Sequence, residues 1–383
     1  YGCIFYLMTL GRRASSYLLN LSAKPPSQSL QMKNTLLEYV PYLDSGNDLS
    51  FDQITEAASL LINESINLES KSDFLKSLAN KGETNGEFSG FVSAFRSFAR
   101  NPELEDYSGQ AIDLCGTGGD RSGSFNISTF VSLLVAAGGV PVIKHGNRSV
   151  SSKCGSADLL EALGIPLETQ SDRLKASQDH LNFCFLFAPH FHPAFKHLAP
   201  VRKALAGEGV ITLFNRLGPC LNPALPAYQI LGVYDPAYLE QIAHTLKANG
   251  SKSGWVVHGK TADNTSLKMD ELTACGPNLV RAYGMDGENQ TTTFSPNHWG
   301  QATHPSTDLK GGSLEQNLLI FDSLLTGKAP PGLRASIIMN ASTAFWVAGK
   351  VKSLTEGVEQ AKELLDGNGL SSWLNKARKF FAS

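Results

Sequence analysis

The feature that most constrains the fold is a change of sequence pattern at residue 111, where strands begin to alternate with helices. Residues 111–115 (Ala-Ile-Asp-Leu-Cys) are typical of a buried strand, and the glycine-rich run Gly-Thr-Gly-Gly-Asp follows at 116–120. A helix is expected from Asn126 to Gly138, and residues 140–144 (Val-Pro-Val-Ile-Lys) predict the next strand. Strands that alternate with crossover helices are typical of an α/β fold. The sequence therefore predicts a central, mostly parallel sheet flanked by helices.

A small helical domain is predicted before this sheet. Apolar residues recur at helical spacing in three segments that begin at Ser50, Lys71 and Glu87. One face of the third helix would carry Phe88, Phe91, Val92, Phe95 and Phe98. Such a stripe predicts either a core or a face for self-association.

The remainder of the chain continues the α/β pattern. We expect helices over 172–206, 238–247 and most of 314–381, and strands over 209–214, 229–234 and 254–258. The predicted organisation is a small N-terminal helical domain plus a larger α/β domain. Residues 1–40 are predicted to be an N-terminal extension that need not belong to the fold. The helical domain is predicted at 41–104, with further helices from 172–206, and the α/β domain is predicted to consist of 105–171 and 207–383.

Composition excludes several classes of protein. The 383 residues are 42% apolar and 18% charged, and 33 Lys and Arg against 35 Asp and Glu leave a net charge of −2. This balance argues against a nucleic-acid binder, and no apolar run approaches the roughly 18 residues that span a bilayer. The six cysteines include no Cys-x-x-Cys pair, so we expect reduced thiols in a cytoplasmic protein.

The first 37 residues are unusual, because they contain no Asp or Glu but include Arg12 and Arg13. The composition fits a transit peptide for a plastid or another organelle. It also fits an extension upstream of a start at Met8 or Met32, which is the interpretation we favour.

Two polar loops follow neighbouring strands, so we expect them at the same carboxyl edge of the sheet, where open α/β folds bind ligands. The loop at 116–120 precedes a helix, and backbone N–H groups in such a loop can hold a phosphate. It lacks the Walker Gly-Lys-Ser/Thr and the third glycine of the dinucleotide fingerprint, so a plain tight turn is an equal alternative. The loop at 144–157 concentrates cationic and hydroxyl side chains, which is unusual for a solvated loop.

These motifs resemble those of the anthranilate phosphoribosyltransferase family. The resemblance rests on Asp-x-x-Gly-Thr-Gly-Gly-Asp at 113–120, Asn-Ile-Ser-Thr at 126–129 and Lys-His-Gly-Asn-Arg-Ser-Val-Ser-Ser-Lys-Cys-Gly-Ser-Ala at 144–157. It continues through 187–194, 200–203, 214–219 with Asn222-Pro223, and 340–349. It implies a helical domain joined to an α/β domain, usually as a homodimer. The implied reaction transfers the 5-phosphoribosyl group from phosphoribosyl pyrophosphate to anthranilate in tryptophan biosynthesis, and it requires no nucleophilic catalytic residue.

The resemblance also implies the residues that bind each substrate. For phosphoribosyl pyrophosphate these are Gly116, Gly119, Asp120, Ser124, Asn126, Ile127, Ser128, Thr129, Lys144, His145, Gly146, Asn147, Arg148, Ser149, Val150, Ser151, Ser152 and Ser156. For anthranilate they are Gly116, Asn147, His192 and Arg202, with His145 nearby. A guanidinium pairs well with a carboxylate, which suits Arg202 to an aromatic acid.

A magnesium site is implied by Asp270 and Glu271. Adjacent carboxylates are common on protein surfaces, but the family binds Mg²⁺ through such a pair at this point in the chain. Ser128 would complete one of two magnesium sites, and hard oxygen ligands suit Mg²⁺. Lys268 and Met269 stand where many members have Gly and an apolar residue, which leaves the geometry of this loop open.

Two alternative functions are considered. A pyrimidine nucleoside phosphorylase shares the architecture but carries Lys-His-Ser where this chain has Asp113-Leu-Cys. A non-catalytic, nucleic-acid-binding paralogue would lose the carboxylates at 270–271 and gain a basic surface. The predicted partners are therefore two small substrates and a second copy of the chain bound through the helical domain, with no nucleic acid and no membrane.

Overall fold

The computed structural model describes residues 36–119, 122–148, 153–264, 267–285, 287–288 and 290–382. Most of the predicted extension at 1–40 lies outside these ranges. Its last residues are instead the start of the first helix, where Leu36 is fully buried. Five of the predicted site residues also lie outside the described ranges, namely Asp120, Ser149, Val150, Ser151 and Ser152.

Helices form the N-terminal part of the described chain. They are α1 (Leu36–Asp44), α2 (Phe51–Ile62), α3 (Leu68–Lys81) and α4 (Asn85–Ser97). Capping boxes begin α2 and α4, because the hydroxyls of Ser50 and Thr84 accept from the N–H groups of Gln53 and Glu87, whose side chains accept in return. The phenylalanine stripe of α4 is core, since its members Phe88, Phe91, Val92 and Phe95 are fully buried.

A sheet of eight strands, counted over the described residues, forms the centre of the α/β part. The strands are β1 (Ile112–Gly116), β2 (Val142–Gly146), β3 (Phe183–Phe187), β4 (Tyr228–Gly232), β5 (Ser253–Lys260), β6 (Lys268–Met269), β7 (Asn278–Tyr283) and β8 (Thr291–Phe294). Their order is β3-β2-β1-β4-β5-β7-β8, with β6 paired to β5. The first five in this order are parallel, whereas β6, β7 and β8 join antiparallel. The predicted α/β class with a mostly parallel sheet is confirmed.

The remaining helices connect and cover these strands. They are α5 (Glu105–Ser108), α6 (Ile127–Ala137), α7 (Ser156–Ala162), α8 (Ser171–Leu181), α9 (Ala188–Phe191), α10 (Ala199–Gly207), α11 (Leu239–Ala248), α12 (Leu314–Leu325), α13 (Pro331–Val347), α14 (Leu354–Asp366) and α15 (Gly369–Ala382). Within the described ranges, no helix combines the length and the apolar character needed to cross a membrane.

The two faces of the sheet bury different apolar clusters. Ile230 of β4 and Trp255 of β5 join a cluster with α6 and α13, while the next residues along the same strands, Leu231 and Val256, join a cluster with α4 and α11. This division follows from the alternation of side chains along a strand. The helical part therefore shares its core with one face of the sheet. The boundaries given above for the two domains stay a prediction.

The expectation of helices throughout residues 172–206 is wrong in its centre. Residues Phe183–Phe187 form β3, and all five are buried. A short apolar run does not by itself distinguish a buried strand from a helix. The flanking helices also divide, because α8 packs on β3 whereas α10 packs on α3 of the helical part.

The strand expected at 209–214 is also wrong. Residues Leu213–Asn215 form a 3₁₀ turn, and Leu213 and Phe214 pack in the core shared with the helical part. In the other direction, β7 and β8 form where the sequence analysis expected no strand. β8 lies at the edge of the sheet and its residues are largely exposed, so its sequence carries little apolar alternation.

Candidate active site

The glycine-rich loop and the carboxylate pair meet at the carboxyl end of β1. The Asp270 carboxylate Oδ2 accepts a hydrogen bond of 2.7 Å from the backbone N–H of Gly118. A Cβ at Gly116 would lie 2.3 Å from the same Oδ2, and a Cβ at Gly232, which ends the adjacent β4, would lie 1.5 Å from the Asp270 carbonyl oxygen. Glycine at these two strand ends is therefore required for the carboxylate loop to approach the sheet.

Backbone conformation explains the other glycines of this loop. Gly118 and Gly119 have φ angles of +67° and +75°, a region that glycine enters without the steric cost paid by other residues. The loop thus turns between β1 and α6, and the Gly118 N–H points at the Asp270 carboxylate.

The second carboxylate lies at the start of helix α6. Glu271 Oε1 accepts from the backbone N–H of Ser128 at 3.1 Å, where the partial positive charge of a helix N-terminus favours an anion. Asn340 of α13 fixes the next residue, because its Oδ1 accepts from Leu272 N–H at 3.3 Å and its Nδ2 donates to the Leu272 carbonyl at 2.7 Å. Residues far apart in sequence are thus held at one edge of the sheet.

The oxygen atoms gathered here fit a magnesium ion. Asp270, Glu271 and the Ser128 hydroxyl offer carboxylate and hydroxyl oxygens, the hard ligands that Mg²⁺ prefers. Both carboxylates are oriented by backbone N–H groups. The structure therefore brings together the three residues that the sequence analysis placed at the metal.

Lys144, which the resemblance assigned to the donor, is almost fully buried. Its side chain is 2% exposed, and Nζ donates to the Leu114 carbonyl at 2.5 Å and to the Ser128 hydroxyl at 3.4 Å. The ammonium thus adds positive charge beside Ser128 from within the sheet.

A buried carboxylate, Asp113, supports the end of β2. Its oxygens accept from His145 N–H at 3.3 Å and from Asn222 Nδ2 at 2.9 Å, and Asn222 Nδ2 also donates to the Ile143 carbonyl at 2.8 Å. Burial raises the pKa of Asp113 to about 6, although Lys144 and the hydrogen bonds oppose the shift. This network fixes the strand end from which the second polar loop emerges.

The second polar loop is held together by its own residues. The Asn147 carbonyl accepts from the Ser156 hydroxyl at 3.0 Å, and a Cβ at Gly146 would lie 2.5 Å from that hydroxyl oxygen. Arg148 was expected to bind the donor, but its guanidinium pairs with Asp158 and Glu161, each at 2.7 Å. In the described part of this loop, Arg148 therefore links the loop to α7 through these ion pairs.

Three further residues of the predicted donor set lie around the start of α6. Ser124 forms an isolated β-bridge with Lys310, which fastens the glycine-rich loop to the segment before α12. Ile127 and Thr129 are 0% and 1% exposed, so their side chains are enclosed by protein.

Rings connect the second loop to the helical part. The ring centroids are 5.1 Å apart for His145 and His192, 5.4 Å for His192 and Phe195, and 6.2 Å for Phe195 and Phe214. The Arg202 guanidinium carbon lies 5.9 Å from the centroid of the Phe214 ring, and the Arg202 side chain is exposed. We call these five residues the acceptor cluster.

The two imidazoles of the acceptor cluster are neutral near pH 7. Burial lowers the pKa of His192 to about 4, with the Leu221 backbone opposing the shift, and burial also lowers the pKa of His145. Among the described residues, His145 Nε2 and both ring nitrogens of His192 make no well-formed hydrogen bond. A buried polar atom without a partner costs free energy, so these nitrogens mark positions where a bound molecule would be stabilised.

Sequence reasoning missed several residues that hold the site. The side chains of Asp113, Asn222, Asn317 and Asn340 connect loops at the carboxyl edge, and of these four only Asn317 lies outside the motifs that carried the resemblance. The partners in these contacts lie more than 60 residues away, so no local pattern in the sequence indicates them.

This fold and site define a glycosyltransferase of the α/β type. Residues 108–370 match the family described as glycosyl transferase family, a/b domain. The anthranilate phosphoribosyltransferase of Petrotoga mobilis is 38% identical over 342 residues, which are 89% of this chain and 96% of that protein. The chain therefore belongs to the anthranilate phosphoribosyltransferase family.

Solved structures agree with this assignment. Anthranilate phosphoribosyltransferase from Thermus thermophilus superposes with a TM-score of 0.80 and 37% identity, covering 90% of this chain and 99% of that one. The Saccharomyces cerevisiae enzyme in complex with PRPP and Mg superposes with a TM-score of 0.75 and 26% identity, covering 91% and 98%. That complex pairs the donor with magnesium in a relative of the same fold.

Proposed function

We propose that this protein transfers the 5-phosphoribosyl group from phosphoribosyl pyrophosphate to the amine of anthranilate, giving N-(5-phosphoribosyl)anthranilate and pyrophosphate for tryptophan biosynthesis. The observation that carries the proposal is the hydrogen bond from Gly118 N–H to Asp270. It joins a phosphate-binding type of loop to a magnesium-binding type of carboxylate at one edge of the sheet. Membership of the family supports the same reaction.

The donor binds across the two polar loops in this proposal. The 116–119 turn and the N-terminus of α6 contact the pyrophosphate, because the partial positive charge of a helix N-terminus favours an anion. The ammonium group of Lys144 adds a positive charge next to Ser128. Asp120, Ser151 and Ser152 would add contacts to the phosphates and the ribose.

Magnesium held by Asp270, Glu271 and Ser128 would neutralise the pyrophosphate and so make it a better leaving group. Two ions are proposed, because the two carboxylates are held by different partners, Gly118 and Ser128. Around them the protein supplies fixed dipoles, which stabilise developing charge without reorganising during the reaction.

The acceptor cluster orients anthranilate. Arg202 would pair with the carboxylate, while the rings of Phe195 and Phe214 and the neutral imidazoles would contact the aromatic plane. The amine nitrogen attacks C1 of the ribose as the bond from C1 to the pyrophosphate oxygen breaks with its electron pair. The amine then loses one proton, which a neutral imidazole nitrogen of His145 or His192, or water, can accept.

A homodimer through the helical part is proposed as well. Leu37 of α1, Phe51 of α2 and Leu68 of α3 are 45%, 63% and 46% exposed, which is consistent with an apolar surface that a second copy would cover. Sedimentation of the full chain would test this, and a monomer at micromolar concentration would contradict it. The proposed cytoplasmic location is testable by cell fractionation.

Anthranilate fluorescence tests the activity directly. With phosphoribosyl pyrophosphate and Mg²⁺ the signal should fall as anthranilate is consumed, and removal of Mg²⁺ by chelation should stop the decline. Thymidine with inorganic phosphate serves as the matched control for a pyrimidine nucleoside phosphorylase and should give no product. Unchanged anthranilate fluorescence under every metal condition would contradict the proposal.

A further inference from the structure

A segment that follows β8 and continues into the first turn of α12 is hydrogen-bonded to residues 123–125, which lie between the glycine-rich loop and α6. We call residues 309–317 the strap. Phe125 N–H donates to the Leu309 carbonyl at 2.9 Å, and Gly311 N–H donates to the Gly123 carbonyl at 2.8 Å. These are backbone bonds, so they fasten the strap along the loop whatever side chains are present.

One side chain of the strap reaches further. Asn317, in the first turn of α12, is 2% exposed, and its Oδ1 accepts from Gly312 N–H at 2.8 Å. Its Nδ2 donates at 2.9 Å to Oδ1 of Asn126, the N-terminal cap position of α6. Asn317 thereby fixes which way the Asn126 carboxamide points.

Asn126 continues the connection to the second polar loop. Its Nδ2 donates at 3.1 Å to the carbonyl of Cys154. The two asparagines thus join the strap, the start of α6 and the 144–157 loop. A buried network of this kind fixes geometry when every member is paired.

We propose that Asn317 is a positioning residue of the donor site, which sets the affinity for phosphoribosyl pyrophosphate without touching it. It acts by orienting Asn126 and by tying together the two loops on which the donor would lie. The inference rests on the proposed function. It predicts that a change at Asn317 weakens donor binding and affects the acceptor cluster far less, because only His145 of that cluster lies on either of the two loops.

Asn317→Asp is the most specific variant. It keeps the acceptor for Gly312 N–H but places a second oxygen 2.9 Å from Asn126 Oδ1. Loss of this buried donor should weaken binding of phosphoribosyl pyrophosphate with Mg²⁺ about tenfold or more. The dissociation constant is measured by calorimetry without anthranilate, and the KM for anthranilate at saturating donor should change less than about twofold. Asn317→Ala serves if the aspartate variant does not fold.

Gln316→Ala is the matched control. Gln316 is the adjacent residue, and its side chain accepts from Ser313 N–H in the capping box of the same helix. The substitution therefore weakens the N-terminal cap of α12 without changing a residue that contacts Asn126. Donor affinity in this variant should stay within about twofold of wild type. In an Asn126→Ala background, Asn317→Ala should add less than about twofold, because the two residues act as a unit.

Three results would overturn the inference. The first is a donor dissociation constant that stays within about twofold of wild type in both Asn317→Asp and Asn317→Ala. The second is a loss of donor affinity in Gln316→Ala equal to that in the Asn317 variants. The third is an undiminished further loss of donor affinity when Asn317→Ala is added to Asn126→Ala. Unchanged variants of an active wild-type enzyme contradict this inference alone, whereas an inactive wild type contradicts the proposed function.

Discussion

The donor side and the acceptor side of the candidate site are constructed differently. On the donor side, groups from the glycine-rich loop, the carboxylate loop and the strap are joined by hydrogen bonds, such as Gly118 to Asp270, Ser128 to Glu271 and Asn317 to Asn126. The acceptor cluster is held mainly by ring contacts between 5.1 and 6.2 Å, and its imidazoles carry buried nitrogens without a well-formed partner among the described residues.

The difference matches what each side is proposed to bind. A flexible polyanion needs many donors and cations held in advance, because ordering them on binding would cost free energy. A planar aromatic acid needs flat apolar walls and few polar groups. Substitutions on the donor side should therefore lower activity by displacing binding groups, whereas substitutions in the acceptor cluster should lower it by removing a single contact.

The largest effect is expected from the carboxylate pair. Asp270→Asn with Glu271→Gln keeps the shape of both side chains but removes the anionic ligands, so kcat should fall on the order of 1000-fold at ordinary Mg²⁺. Raising Mg²⁺ should restore part of the activity. Asp263→Asn is the control, since this nearby exposed carboxylate accepts from Ser306 instead. Wild-type magnesium dependence in the double variant would remove the metal site from the account.

The next effect tests whether geometry governs the donor side. In Gly116→Ala the new Cβ would lie 2.3 Å from Asp270 Oδ2, so the carboxylate must move away from Gly118 N–H. A displacement near 1 Å should cost on the order of 100-fold in kcat/KM for the donor. Gly109→Ala meets nothing within 4 Å and has an ordinary helical φ of −63°, so its activity should be normal. Equal activity of the two variants would show that the close approach is unnecessary.

A smaller effect is expected at the edge of the acceptor cluster. Arg202→Ala removes the cation proposed to pair with the carboxylate of anthranilate, which should cost about 2 kcal/mol, or roughly 30-fold in kcat/KM for anthranilate. Lys203→Ala, which removes the adjacent exposed cation, should cost less than about twofold. Comparable losses in both variants would point to a general effect of positive charge on this helix.

The smallest effect concerns His192 and pH. The unfolded chain binds a proton at this residue near pH 6.5, but in the folded protein burial lowers the pKa to about 4. Unfolding therefore takes up a proton between these values, and stability falls as the pH is lowered through this window. From pH 7.0 to 5.5 wild type should lose about 1 kcal/mol relative to His192→Gln.

Urea denaturation of both proteins at the two pH values measures this difference. The contribution of Asp113, whose pKa is raised to about 6, has the opposite sign but is common to both and cancels. The variant His244→Gln, at an exposed position, serves as the control. A difference of the same size for His244 and His192 would contradict burial as the cause.

Sequence reasoning predicted the strand–loop–helix unit of the proposed donor side because its signals are local. Gly116 to Asp120 and Asn126 to Thr129 lie within one strand–loop–helix unit, and the structure confirms that unit with β1 and α6. The role of Asp270 and Glu271 came from the resemblance alone. No local feature of an adjacent pair of acids predicts that the pair will lie close to Gly116 and Gly232, which are more than 30 residues away in sequence.

The errors and omissions have a common physical origin in contacts distant in sequence. Phe183–Phe187 is apolar enough for a helix or a strand, and its pairing with β2 decides between them. Asn317 and Asn340 looked like ordinary helical residues, because their partners Asn126 and Leu272 lie 191 and 68 residues away. The ring contacts of the acceptor cluster likewise join four separate segments.

The most direct test of the two-sided account is calorimetric titration of phosphoribosyl pyrophosphate with Mg²⁺ into wild type, Arg202→Ala and Asp270→Asn/Glu271→Gln. The account predicts that Arg202→Ala binds the donor within about twofold of wild type, although its turnover of anthranilate falls, whereas the double variant loses donor affinity at least about tenfold. Equal loss of donor affinity in both variants would contradict it, because Arg202 would then support the donor side as well.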